Sequence, residues 1–184
     1  MRTSAATALL TSAAILVSAT VASGQLESAF RPLPAPEWES FEEMHDFYTR
    51  RFESAYGFGL ARMPQPPMLD RSGRLDLGRA RYAIDRLELV GLLKHSAPVV
   101  YTPVRHTGRA ADDFRGRALT PFETRALAAL RAGTDIEVGA ATPSGTLELV
   151  GALRGDGSCL KCHKDKKAGD LLGAFTYRLR PSPR

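Results

Sequence analysis

The chain has 184 residues, 43% hydrophobic and 24% charged, with 25 basic and 20 acidic residues for a net charge of +5. That length holds one domain with a core rather than two, and the composition is globular rather than disordered. The basic excess is small and diffuse, which argues against nucleic acid, where a clustered basic stripe with interleaved aromatics is needed; an acidic protein partner stays open.

Residues 1–24 read as a signal peptide. Arg2 supplies a positive start, Ala5 to Val21 is an apolar run broken only by Thr and Ser, and a cut after Ala22 or Gly24 fits the small-residue rule. The alternative is a retained membrane anchor, but no basic stop signal follows the run. The expected location is periplasmic, with no membrane span after cleavage. Residues 25–37, with Pro32, Pro34 and Pro36, form an extended leader into a single domain over 38–180.

From Trp38 to about Ala55 the spacing predicts a helix: Trp38, Phe41, Met44 or His45, Tyr48 and Phe52 recur at three and four, with glutamates early and Arg50 and Arg51 late. Residues 61–80 read as a loop, punctuated by Pro64, Pro66, Pro67 and Ser72-Gly73. Leu87–Leu93 and Val99–Val104 read as strands joined by a hairpin through Lys94-His95-Ser96-Ala97-Pro98, and 105–119 as irregular. Thr120, Pro121 and Glu123 announce a capped helix that Gly133 ends. A second hairpin follows, from Ile136 and Val138 through the turn Thr142-Pro143-Ser144-Gly145 to Leu147, Leu149 and Leu153. Leu171–Leu179 is the last strand. Leu87-Glu88-Leu89-Val90-Gly91 echoes Leu147-Glu148-Leu149-Val150-Gly151, as two similar strands of one sheet would. The expected fold class is α+β: an antiparallel, PAS-like sheet with flanking helices packed on one face.

Both cysteines of the chain lie in Cys159-Leu160-Lys161-Cys162-His163. Thiols three residues apart reach the two vinyl groups of one haem and form thioethers, and the next histidine then lies under the iron as proximal ligand. One covalent haem c is therefore the expected cofactor. Three rivals use the same residues: a thioredoxin-like dithiol, which normally follows an early strand; a zinc site, which needs about four ligands; and a plain disulfide in an oxidising compartment. For the sixth iron position the candidates are His45, His95, His106, Met44, Met63 and Met68. His45 leads, because it shares a helix with Trp38, Phe41 and Tyr48. Lys161, Lys164, Lys166 and Lys167 form either a solvated surface or a docking rim for an acidic redox partner.

The stretch Ser158-Cys159-Leu160-Lys161-Cys162-His163, followed by Gly169-Asp170-Leu171-Leu172-Gly173-Ala174-Phe175, resembles a bacterial family of exported single-haem proteins known as a domain of unknown function. Phe122-Glu123 is similar to that family's pattern as well, and the resemblance spans roughly residues 85–180. It implies a PAS-like fold with the haem attached just before the last strand, on Cys159 and Cys162, with His163 as proximal ligand. It also implies a part in single-electron transfer or redox sensing. Some haem proteins of this kind draw an unusual distal group from the N-terminal helix; with no third cysteine, His45 is the nearest equivalent. The alternative role is a gas or small-ligand sensor with an open distal site. Peroxidase chemistry ranks lowest, with His106 beside Arg105 and Arg109 as its only support.

Overall fold

The structure, a computed structural model, describes residues 35–57, 59–64, 74–77, 80–93, 96–104 and 113–181. The signal peptide, most of the leader, His95, His106, Met68, Arg105 and Arg109 lie outside the described residues. Among the described residues two α-helices, α1 (Ala35–Ser54) and α2 (Pro121–Ala132), accompany seven strands: β1 (Arg74–Leu77), β2 (Ala80–Gly91), β3 (Val99–Pro103), β4 (Phe114–Arg117), β5 (Ile136–Val138), β6 (Leu147–Arg154) and β7 (Leu171–Pro181). All pair antiparallel in one sheet, ordered β4-β3-β2-β7-β6-β5, and β1 takes the first half of the β2 edge that β3 uses further on. The architecture is α+β.

The two helices lie on opposite faces of this sheet, not on one. On the first face Phe41, Met44 and Tyr48 of α1 join Leu87, Leu89, Leu149, Phe175, Tyr177 and Leu179. On the second, Ala126, Leu127 and Leu130 of α2 join Val90, Val100, Val150, Ala152 and Ala174. The reason is visible in the inner strands. Gly173 to Tyr177 is buried without interruption, and Leu149 to Leu153 likewise. A strand covered on both sides reads as a continuous apolar run rather than an alternation. The two echoed segments flank β7 as neighbours, with Leu87 and Leu149 both opposite Tyr177.

Local signals are realised where side chains act on their own backbone. Thr120 accepts from the Glu123 N–H while the Glu123 carboxylate accepts from the Thr120 N–H, and Gly133 ends α2 at φ 113°. The Thr142–Gly145 turn closes with Gly145 N–H donating to Thr142 O at 2.8 Å. Two strands fall in stretches expected to be loops. β1 pairs Arg74–Leu77 with Ala80–Ala83, and β4 pairs Phe114–Arg117 with Val100–Pro103. Both sit at sheet margins, where a polar sequence is tolerated and the apolar pattern is weak.

Below α2 lies a buried ionic network. The Arg117 guanidinium donates to both Glu88 and Glu123, Thr102 donates to Glu88, and Thr176 donates to Glu123 at 3.0 Å. Glu88 and Glu123 are 3% and 4% exposed, so Arg117 compensates two desolvated charges. Burial alone would raise the Glu123 carboxyl; the Arg117 and Thr120 hydrogen bonds outweigh it and hold it below the ordinary range. Among the described residues no helix is long and apolar enough to cross a membrane.

Replacing Arg117 by Met removes the countercharge that both carboxylates share and leaves Glu88 only the longer pair with Arg86 at 3.9 Å. Urea unfolding at pH 7 should show a loss of about 3 kcal/mol, largely restored by adding Glu88→Gln and Glu123→Gln. Because the folded Glu123 carboxyl is depressed, the stability it contributes is present above its ordinary value of 4.5 and disappears as the pH falls through the lower folded value.

Candidate functional site

The Cys-x-x-Cys-His motif lies in a closed loop between β6 and β7. The loop leaves and returns through one neck, where Gly155 N–H donates to Asp170 O at 2.8 Å and Gly169 N–H donates to Gly155 O at 2.9 Å. A compact surface excursion with joined ends is an Ω-like loop. Arg154 fixes the neck to the end of α2: its guanidinium pairs with Asp135 at 2.6 Å and donates to Leu130 O, Thr134 O and Gly169 O.

Inside the loop Asp156 organises the motif. One of its carboxylate oxygens accepts from Ser158 N–H, Ser158 O–H and Cys159 N–H at 2.7–2.9 Å. These bonds, that of the Ser158 hydroxyl foremost, hold the carboxyl down at about 2. Cys162 N–H and His163 N–H then both donate to Cys159 O, at 3.2 and 3.0 Å, winding residues 159–163 into one tight turn. In a 3-10 turn residues three apart stand over one another, which stacks Cys162 on Cys159 with His163 next in line. Both cysteines are free thiols; Cys162 is exposed, and Cys159 and His163 are half-buried. Among the described residues none hydrogen-bonds the His163 ring.

The end of α1 reaches this turn. The Glu53 carboxylate, the Asp156 carboxylate and the Cys159 sulfur all lie within 4.8 Å of one another. Burial, and then the Asp156 charge, raise the Glu53 carboxyl, and burial pushes the Cys159 thiol up. Leu160 and, at the start of β7, Leu171 and Leu172 stay partly exposed, and Tyr56 beyond α1 is fully exposed. Of the lysines, Lys166 pairs with Asp165 at 2.8 Å, while Lys161, Lys164 and Lys167 make no ion pair among the described residues.

These features fit a covalently attached haem. The thiols are unpaired in one preformed turn, no described residue bonds the neighbouring imidazole, and the turn carries the partly exposed Leu160. A zinc ion fits less well: the Glu53–Asp156–Cys159 trio offers three donors where a closed zinc site takes four, and one Asp156 oxygen is already engaged.

His45 occupies a different place. It is 6% exposed, its ring edge-on to Phe175 and Tyr177. Ala152 O, a carbonyl, only accepts, so His45 Nε2–H donates to it at 2.9 Å, and Nδ1 accepts from the Tyr177 hydroxyl at 2.8 Å. A β-carbon added at Gly151 would collide with this ring, so that glycine makes the room for it. With both nitrogens engaged, His45 is a satisfied core residue and is not presented to a haem. Met44 and Met63 are also in the core, at 2% and 5% exposure. Asp156, Glu53 and Gly151 act at these sites without standing out as functional residues in the sequence. Asp156, three residues before Cys159, carried a usable capping signal; the other two depend on tertiary placement.

No protein family, curated protein or solved structure matches the chain.

Burial holds His45 neutral below its ordinary value of 6.5, against the hydrogen bond from its ring to Ala152. The unfolded chain takes up that proton first, so stability is full above about 6.5 and falls as the pH drops toward the lower folded value. Urea unfolding at pH 7, 6 and 5 should show wild type losing more stability than His45→Gln, with a difference in slope of at most about 1.4 kcal/mol per pH unit. Parallel slopes would place the titration elsewhere.

Proposed function

We propose that this chain is an exported, periplasmic c-type haem protein with a PAS-like domain, serving single-electron transfer or redox sensing. Cys159 and Cys162 would hold the haem through thioethers, and His163 would supply the proximal nitrogen. A haem held there supplies reversible one-electron exchange at its iron. The observation that carries the reading is the turn itself: two free thiols and an imidazole bonded by no described residue, within one surface turn that Asp156 and the neck hold in place. The sheet order, with β2 beside β7 at the centre and a helix between the two hairpins, is consistent with the PAS-like class.

The protein's own part is to place and shield. Leu160 within the turn and Leu172 against Gly155 at the neck offer partly exposed apolar surface. Lys161, Lys164 and Lys167 present positive charge to an acidic redox partner, whose association would slow with added salt. A second reading, a gas or small-ligand sensor, draws on His45: its nitrogens are engaged in the core, so it does not close the distal side of an iron at His163.

Co-expression with a c-type haem maturation system tests both readings. The reduced protein should show a sharp α-band that survives acid-acetone extraction, and Cys159→Ala plus Cys162→Ala should abolish it. A chain that never acquires the band sinks the haem reading and returns the cysteines to dithiol or disulfide chemistry. A spectrum unmoved by carbon monoxide favours electron transfer; a ready shift favours ligand sensing.

A further inference from the structure

The two thiols of the turn stand in unlike surroundings. Cys162 is exposed and follows Lys161 and precedes Lys164 in the chain. Cys159 is half-buried, and its sulfur shares a space of 4.8 Å with the Glu53 and Asp156 carboxylates. Asp156 cannot turn away, because its oxygen is tied to three donors of the turn itself. Glu53 is held by α1, and Arg62 donates to its backbone carbonyl, fixing the segment that follows the helix. A reagent approaching Cys159 therefore meets the end of a helix and two negative charges; one approaching Cys162 meets open solvent.

We infer that Cys162 is the thiol that reacts first with external carbon and sulfur electrophiles, and that Glu53 is a positioning residue shielding Cys159. With iodoacetamide the sulfur of Cys162 displaces iodide: a carbon–sulfur bond forms, the carbon–iodine bond breaks, and the thiol proton goes to water. With an aromatic disulfide it forms a mixed disulfide and releases one arylthiolate, without any further oxidant. The consequence for haem loading rests on the function proposed above. The first thioether forms at Cys162 by addition of its S–H across a vinyl double bond, sulfur to one carbon and hydrogen to the other, with no electron exchanged.

The test uses the full chain prepared without haem, its fold checked by circular dichroism, with site-resolved mass spectrometry of each cysteine peptide. Neutral iodoacetamide and the dianionic reagent 5,5′-dithiobis(2-nitrobenzoate) are compared. Cys162 should react about tenfold faster than Cys159 with either, and the two rates should converge in denaturing urea. Glu53→Gln should speed Cys159 several-fold with the anionic reagent and much less with the neutral one, leaving Cys162 unchanged. Equal rates in the folded chain, or a faster Cys159, overturn the inference. Haem loading gives an independent check: Cys159→Ala should retain more covalent haem than Cys162→Ala, and the reverse order overturns it. If no variant takes up haem, the proposed function fails while the alkylation order still decides this inference.

Discussion

The fold depends on β7 having neither a free edge nor a free face. β2 and β6 take its two edges, α1 covers one side and α2 the other. A slip of one residue in its register would move Phe175, Tyr177 and Leu179 from the α1 core to the α2 core, where Ala174 and Thr176 now sit. Each of those large side chains contributes roughly 1.5–3 kcal/mol by burial, so the register is strongly fixed. The cysteine loop is the segment that feeds this strand. Its position follows from the strand's, and the Gly155–Asp170 neck carries that rigidity across to β6.

The same constraint accounts for His45. An imidazole under α1 loses its hydration, and a buried polar group without partners costs about 1–3 kcal/mol. Tyr177 and the Ala152 carbonyl remove that cost together, and Gly151 leaves the space. Each of the three belongs to β6 or β7, so the histidine ties α1 to the two strands that bracket the motif. His163 is the opposite case: half-exposed, on a loop, with its ring not bonded by any described residue. Two histidines of one chain are thus separated by environment into a structural one and one available for ligation.

Sequence patterns were legible where an element acts on its own backbone or buries one face. The α2 capping box, the Thr142–Gly145 turn and the α1 stripe of Phe41, Met44, His45 and Tyr48 are of this kind. They were illegible where partners are distant. β1 and β4 exist because β2 and β3 offer edges, and nothing in Arg115-Gly116-Arg117 announces that Arg117 will bridge Glu88 and Glu123. The opposite placement of the helices was in principle readable. Ala174-Phe175-Thr176-Tyr177 carries no charge on either side of the strand, and its unbroken burial means that both faces are covered. The motif stood out as five residues; the carboxylates beside it did not, because Glu53 arrives from more than a hundred positions upstream.

That last juxtaposition bears on how such a site comes to exist. The turn over residues 159–163 is wound by Asp156 and by Cys159 O, all within the chain, so its shape is set by folding. A preformed turn does not have to be ordered at the moment a cofactor arrives, which lowers the entropic cost of attachment. Covalent attachment also removes the need for a deep pocket, and this loop sits on the surface. A carboxylate that shapes the turn must, however, lie beside the first cysteine, and it brings negative charge with it. Asp156 therefore both builds the turn and, with Glu53 from the end of α1, crowds its first thiol, which burial already pushes up.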